Sequence, residues 1–177
     1  MKYIALLRGI NVGKSVKVPM KTLQSMLQEI GLSNISTYLN SGNALFESGH
    51  EPLALSELIE AKLKETFGQA IPTLVKRSSE IIDIANAIPA DWQNNQTEQT
   101  YVAYLFNEVA SPQLIEELPI KKQYMEIKYV HEAIIWNIKR ENYNRSHITK
   151  IVAHPAYAKM TTRNANTARK LAQLCSE

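Results

Sequence analysis

Tyr3-Ile4-Ala5-Leu6-Leu7-Arg8-Gly9-Ile10-Asn11-Val12-Gly13-Lys14-Ser15-Val16-Lys17-Val18-Pro19 is the stretch on which the fold turns. Tyr3 to Leu7 is an unbroken apolar run that ends at Arg8-Gly9. Such a run reads as a strand covered on both faces, which places it in the middle of a sheet. The loop after it holds Gly9, Gly13, Asn11, Ser15, Lys14 and Lys17. A central strand that ends in a polar, glycine-containing loop is a frequent place for a binding site in a layered domain.

Working outward, Pro19 stands where a helix begins. Met20, Leu23, Met26, Leu27 and Ile30 then recur at helical spacing up to Gly31. Ile35 to Leu39 and Ala44 to Glu47 are short β-prone runs around Asn40-Ser41-Gly42-Asn43, the pattern of a hairpin. Pro52 to Phe67 carries Leu55, Leu58, Ile59 and Leu63 on one helical face and stops at Gly68. Ile71 to Arg77 is a further strand. The order βαββαβ predicts a ferredoxin-like plait, so the fold class is α+β. A third helix follows from Ser78 or Ser79 to Ile88, and the polar stretch Ala90 to Gln99 places a domain boundary near residue 95.

The second half predicts a strand at 100–106, a short helix opened by Ser111-Pro112, and strands at 125–130 and 133–139. It adds a helix at 145–152 and a terminal helix at 161–176. That order is βαββα, a plait with its last strand missing. The expected organisation is therefore a ferredoxin-like subdomain, 1–95, and a second, irregular plait-like subdomain, 96–177, with a C-terminal helix.

Composition narrows the function classes. The chain has 177 residues, a 45% apolar share and one cysteine. Cys175 alone excludes an internal disulfide and a multi-cysteine metal site. No apolar run approaches the roughly 18 residues that span a bilayer, and Met1-Lys2 leads straight into a strand, so a cytoplasmic protein with no membrane partner is expected. The net charge of +3 is unevenly spread: residues 139–170 hold eight basic residues and a single acid, Glu141. Such a segment fits an anionic partner or a solvated helical face.

The tempting chemistries fail on spacing. Gly9-Ile10-Asn11-Val12-Gly13-Lys14-Ser15 puts three residues between its glycines where a P-loop needs four, and the next helix starts too late to hold a phosphate at its N-terminus. The third strand lacks the aromatic string of an RNA-recognition module. Tyr101, Tyr104, Tyr124 and Tyr129 could form a stacking surface, although strand tyrosines are more often core edges. His50, His131, His147 and His154 show no metal-binding spacing, so no metal site is expected. No Gly-x-Ser-x-Gly elbow is present and no general base can be named.

Leu6-Leu7-Arg8-Gly9-Ile10-Asn11-Val12-Gly13, Val18-Pro19-Met20, Thr37-Tyr38-Leu39-Asn40-Ser41-Gly42-Asn43 and Thr161-Thr162-Arg163-Asn164 with Asn166-Thr167 form an ordered set. The set resembles a widespread, mainly bacterial family of uncharacterised proteins, a domain of unknown function. The resemblance implies a two-subdomain α+β fold related to the ferredoxin-like plait. It implies no activity, substrate or cofactor. Lys14 stands where that family usually has glycine, and Ala165 where it has tryptophan.

The expected function is binding of an anionic ligand, either nucleic acid or a phosphorylated small molecule. Arg8, Lys14, Arg145 and Arg163 would supply charge. Asn11, Thr162 and Asn164 would orient the ligand, with Arg145-Ser146 expected near them and Ser146 a further ligand-binding candidate. The end of the first strand and the 161–164 segment are expected to converge, whereas the Asn40, Ser41, Asn43 turn need not share their edge. One alternative is an enzyme acting on a small anionic substrate, with arginine as electrostatic stabiliser. The other is structural: Arg8, Asn11, Asn43 and Arg163 as a buried network that locks the subdomains together. No cofactor and no oligomeric state follow from the residues.

Overall fold

In the computed structural model, which describes residues 1–177, the first elements are β1 (Lys2–Leu7), α1 (Met20–Glu29), β2 (Ser33–Thr37), β3 (Asn43–Glu47), α2 (Pro52–Phe67) and β4 (Thr73–Arg77). The sheet order is β2-β3-β1-β4 and every pairing is antiparallel. This is the ferredoxin-like plait read from the βαββαβ order. β1 is central, and Tyr3 to Leu7 are all buried. Tyr3, Ala5, Leu7, Ala44, Phe46 and Val75 share one core with Leu23, Met26 and Leu27 of α1 and Leu55, Ile59 and Leu63 of α2. Each of these large side chains contributes about 1.5–3 kcal/mol when taken out of water. α2 starts on Pro52 and is capped by Gly68, whose N–H completes the last helical bond to the Lys64 carbonyl and whose left-handed backbone turns the chain out of the helix. β2 has a register irregularity between Ser33 and Ser36, with Asn34 at φ 50°. Lys76 of β4 is an inward-facing lysine, 3% exposed, beside Glu80 at 3.6 Å.

α3 (Ser78–Asn86) leads to β5 (Glu98–Leu105), α4 (Leu114–Glu117), β6 (Glu126–Val130), β7 (Ala133–Lys139), α5 (Tyr143–Ser146), β8 (Met160–Asn164) and α6 (Ala165–Ser176). The second sheet runs β6-β7-β5-β8, again wholly antiparallel. It has the strand order of the first. Met1–Ile81 with Cys175–Glu177 forms one compact unit and Ile82–Leu174 the other.

Two elements of the second half differ from the sequence expectation. The missing strand exists: Met160 to Asn164 pairs with β5, and the terminal helix starts only at Ala165. The Thr161-Thr162 pair suits a strand, and Asn164 accepts the Thr167 N–H at 2.9 Å, which caps the helix there. The helix expected at 145–152 is instead one α turn, broken at His147 with φ 58°, followed by 3₁₀ turns over Ile148–Ala153 and Pro155–Lys159. A left-handed non-glycine residue ends an α-helix. The β7–β8 crossover, which in the first plait is the long helix α2, is thus a chain of short turns. It still covers a sheet face. Ile148, Ile151 and Ala156 pack with Ala103, Leu105, Ile134, Trp136 and Ile138.

Candidate functional site

In the first unit the loop after β1 and the β2–β3 turn lie together. β1 and β3 are antiparallel neighbours with Leu6 opposite Asn43, so the end of one meets the start of the other. This corrects the expectation that the turn need not share the edge of the loop. The Leu7 N–H donates to the Gly42 carbonyl at 2.8 Å. Asn11 sits at φ 57°, donates from Nδ2 to the carbonyls of Val18 at 2.9 Å and Asn40 at 2.7 Å, and accepts the Val18 N–H at 2.8 Å. Its side chain thereby closes the loop on itself and ties it to the turn. Asn43, fully buried, donates to the Tyr38 carbonyl at 2.8 Å and to Ser41 Oγ at 3.0 Å. Gly42 is required there: at φ +91°, a Cβ would lie 2.7 Å from Leu7 Cβ. Arg8 is half-buried, while Lys14 is exposed on the loop.

In the second unit, β8 separates residues that are adjacent in sequence. Val102 is opposite Arg163 and Ala103 opposite Thr162, so the two side chains point to opposite faces of the sheet. Arg163 donates from Nη1 to Thr161 Oγ1 at 2.8 Å and to the Thr162 carbonyl at 2.9 Å. Burial pushes its pKa down to about 10, and it remains a cation at neutral pH. Asn164 caps α6, and Ala165, the first residue of that helix, is fully buried. Ser146 is buried, donates to the Tyr143 carbonyl at 2.6 Å and accepts the Ile148 N–H at 3.2 Å. Arg145, beside it in sequence, is exposed.

The face that carries Thr162 also carries a cavity of about 220 Å³. Gln99 and Tyr101 reach it from β5, Trp136 from β7 and Thr162 from β8; Tyr143 of α5 and Thr149, Val152 and Tyr157 of the 3₁₀ turns line its open, crossover side. Tyr101 and Trp136 are opposite in register and stacked, with ring centroids 6.0 Å apart and planes at 17°. The Trp136 indole N–H is buried with no hydrogen-bond partner. Gln99 is only 9% exposed, and its carboxamide bonds to no protein group. An unpaired buried donor is destabilising by about 1–3 kcal/mol unless something supplies an acceptor. Of the four tyrosines weighed as a stacking surface against the commoner role of core edges, Tyr101 lines the cavity and Tyr104 is fully buried in the core. Gln99, Trp136, Tyr143 and Thr149 were not singled out in the sequence. The signal that could have found them is the period of two, which puts 99 and 101 on one face of a strand.

The charges of the second unit's basic segment divide into tied and untied. Lys139 pairs with Glu98, Arg140 donates to the Asn95 carbonyl at 2.7 Å and Lys159 pairs with Glu108 at 3.3 Å. Glu98 is held below the usual carboxylate range by Lys139, against the opposing effect of burial, with Asn137 and the Gln93 N–H helping. His147 is held low by burial, then by Lys150 and Lys121, and is neutral near pH 7. Arg145 and Lys150 are exposed cations of the crossover in no ion pair. No group of three or more His, Cys, Asp or Glu gathers to hold a metal, and no helix is long and apolar enough to cross a membrane.

Fold and site together define a class: a two-sheet α+β protein with two plait-like subdomains, the second of which bears a small aromatic cavity under a helix-poor crossover. Residues 1–136 match the family model described as a protein of unknown function, DUF1697, and the chain belongs to that family. It is similar in structure to a conserved bacterial protein, SP0830 from Streptococcus pneumoniae, with a TM-score of 0.80 and 27% identity, over 99% of this chain and 98% of that one. No curated protein matches it.

Proposed function

We propose that the chain binds a phosphorylated small molecule, with the anion held at the crossover of the second plait by Arg145 and Lys150. The observation that carries this reading is the cavity itself. Its buried wall holds polar groups with no protein partner, and its outer wall belongs to the most basic segment of the chain. Tyr143 and Thr149 line the cavity, and Arg145 and Lys150 stand two and one residues beyond them in sequence. Both cations are in no ion pair, so neither must be released before it meets a phosphate.

Asn11, Asn40, Ser41 and Asn43 take a structural part in this reading, because their hydrogen bonds hold one loop to one turn. Ser146 and Asn164 likewise complete a turn and a helix start.

The test is thermal unfolding with inorganic phosphate, ribose 5-phosphate, nucleoside monophosphates and a mixed single-stranded oligonucleotide. A ligand at 100 times its Kd adds about 2.7 kcal/mol, and about 2–4 °C per kcal/mol is expected at this chain length. Arg145→Glu with Lys150→Glu should abolish the shift. Failure of every phosphate to raise the midpoint, or an undiminished shift in the double variant, refutes the proposal.

A further inference from the structure

Resting on that reading, we infer that the ligand is a nucleoside monophosphate whose base enters the cavity, lies against the Tyr101–Trp136 pair and is read along its edge by the Gln99 carboxamide. Three observations point to a planar heteroaromatic ring. The cavity is walled by aromatic side chains, two of them already stacked in register across neighbouring strands. Bases are bound in this way, by a ring face against aromatics and an edge against amide groups. The second observation is Gln99. A carboxamide carries two donors and an acceptor, and this one is nine-tenths buried, lines the cavity and bonds to nothing in the protein. Its amide atoms keep some contact with solvent at the cavity, so they are open to a ligand that supplies an acceptor and a donor. Set in a cavity wall, the carboxamide matches the adjoining donor and acceptor on the edge of a base. The third is size. About 220 Å³ is below the roughly 300–1,000 Å³ of sites for drug-sized ligands. One ring system fits, and the remainder of the ligand must leave through the crossover wall, where Thr149, Val152 and Tyr143 meet solvent and Lys150 and Arg145 follow.

The same chemistry is present in single-stranded nucleic acid. The observations favour the mononucleotide: one small cavity takes one base, whereas a strand is gripped by a succession of stacking platforms along a basic groove.

The experiment uses the full chain carrying Trp92→Phe, so that Trp136 is the sole tryptophan of the two, and follows its fluorescence together with calorimetry. AMP, GMP, CMP, UMP, adenosine, guanosine, ribose 5-phosphate and an eight-nucleotide single strand are the probes. At least one monophosphate should quench Trp136 and bind ten times more tightly than ribose 5-phosphate. Gln99→Leu should weaken that monophosphate at least tenfold, leave ribose 5-phosphate unchanged, and leave the ligand-free protein as stable as before or more so. Equal affinity for every monophosphate and ribose 5-phosphate overturns the inference and leaves anion binding standing. Binding of a nucleoside as tight as its monophosphate, indifferent to Arg145→Glu and Lys150→Glu, keeps the base site and removes the phosphate reading. Binding of the eight-nucleotide strand alone overturns the inference in favour of nucleic acid. Loss of stability in Gln99→Leu with no change in affinity shows the residue to be structural and overturns it too.

Discussion

Replacing Gly42 by alanine isolates the contact between the β2–β3 turn and the end of β1. The residue has φ +91°, and the new Cβ would fall 2.7 Å from Leu7 Cβ and 2.9 Å from Ile10 Cδ1. Ile10 Cδ1 is the end of a flexible side chain and can swing away. Leu7 Cβ is fixed to the central strand and can move only with its backbone. The backbone conformation costs an L-residue about 1–2 kcal/mol, and forcing a methyl into packed surroundings about 1–3 kcal/mol. Together they take about 2–5 kcal/mol from a total that for a domain is about 5–15 kcal/mol. Gly9 separates the two contributions. It has φ +68° and open space, with nothing within 4 Å of the place a Cβ would take, so Gly9→Ala loses the backbone contribution alone, about 1–2 kcal/mol. Gly49, with open space and no positive φ, serves as the neutral control, within about 0.5 kcal/mol of the parent. Urea unfolding followed by far-ultraviolet circular dichroism ranks the three. A Gly42→Ala protein no less stable than Gly9→Ala would refute the claim that the turn and the strand end are locked by close approach.

Two further outcomes follow from hydrogen bonds. Asn164→Ala removes the acceptor of the Thr167 N–H and should cost about 0.5–2 kcal/mol in the same assay; a change smaller than that range argues that α6 does not depend on this cap. Glu98 titrates below its ordinary value of 4.5 because of Lys139, despite burial. A carboxyl with a depressed folded pKa contributes stability above its unfolded value and loses it as the pH falls through the folded one. Glu98→Gln should therefore be less stable than the parent near neutral pH, with the gap closing below about pH 4.5. A gap constant from pH 7 to pH 3 would show that the carboxylate charge is not what matters.

The first plait was legible because its signals are strong and local. Pro52 and Gly68 bracket α2, its apolar residues keep a helical period, and β1 is one unbroken apolar run. The meeting of loop and turn carries no motif of its own; it follows from placing β3 antiparallel beside β1 with Leu6 opposite Asn43. β8 was hidden because Met160-Thr161-Thr162-Arg163 runs without a break into a helix whose cap, Asn164, closes the strand. Residues 140–159 have no helical period because they fold largely as 3₁₀ turns. The aromatic cavity draws on three strands and that crossover, so it depends on register across the sheet and on no contiguous motif. The sequence singled out Thr162 and Arg163 as one cluster, yet strand alternation sends one toward the cavity and the other to the opposite face.

The strands that end each sheet share a property beyond their pairing. β2 is irregular between Ser33 and Ser36, β4 buries Lys76, β6 sends Lys128 Nζ to the Ala87 carbonyl at 2.9 Å, and β8 buries Arg163. An interrupted ladder or an inward charge makes a poor template for a strand from another molecule. Sheet growth by recruitment of further copies is thereby discouraged at all four margins, and the protection against aggregation is written into residues that do not line the aromatic cavity.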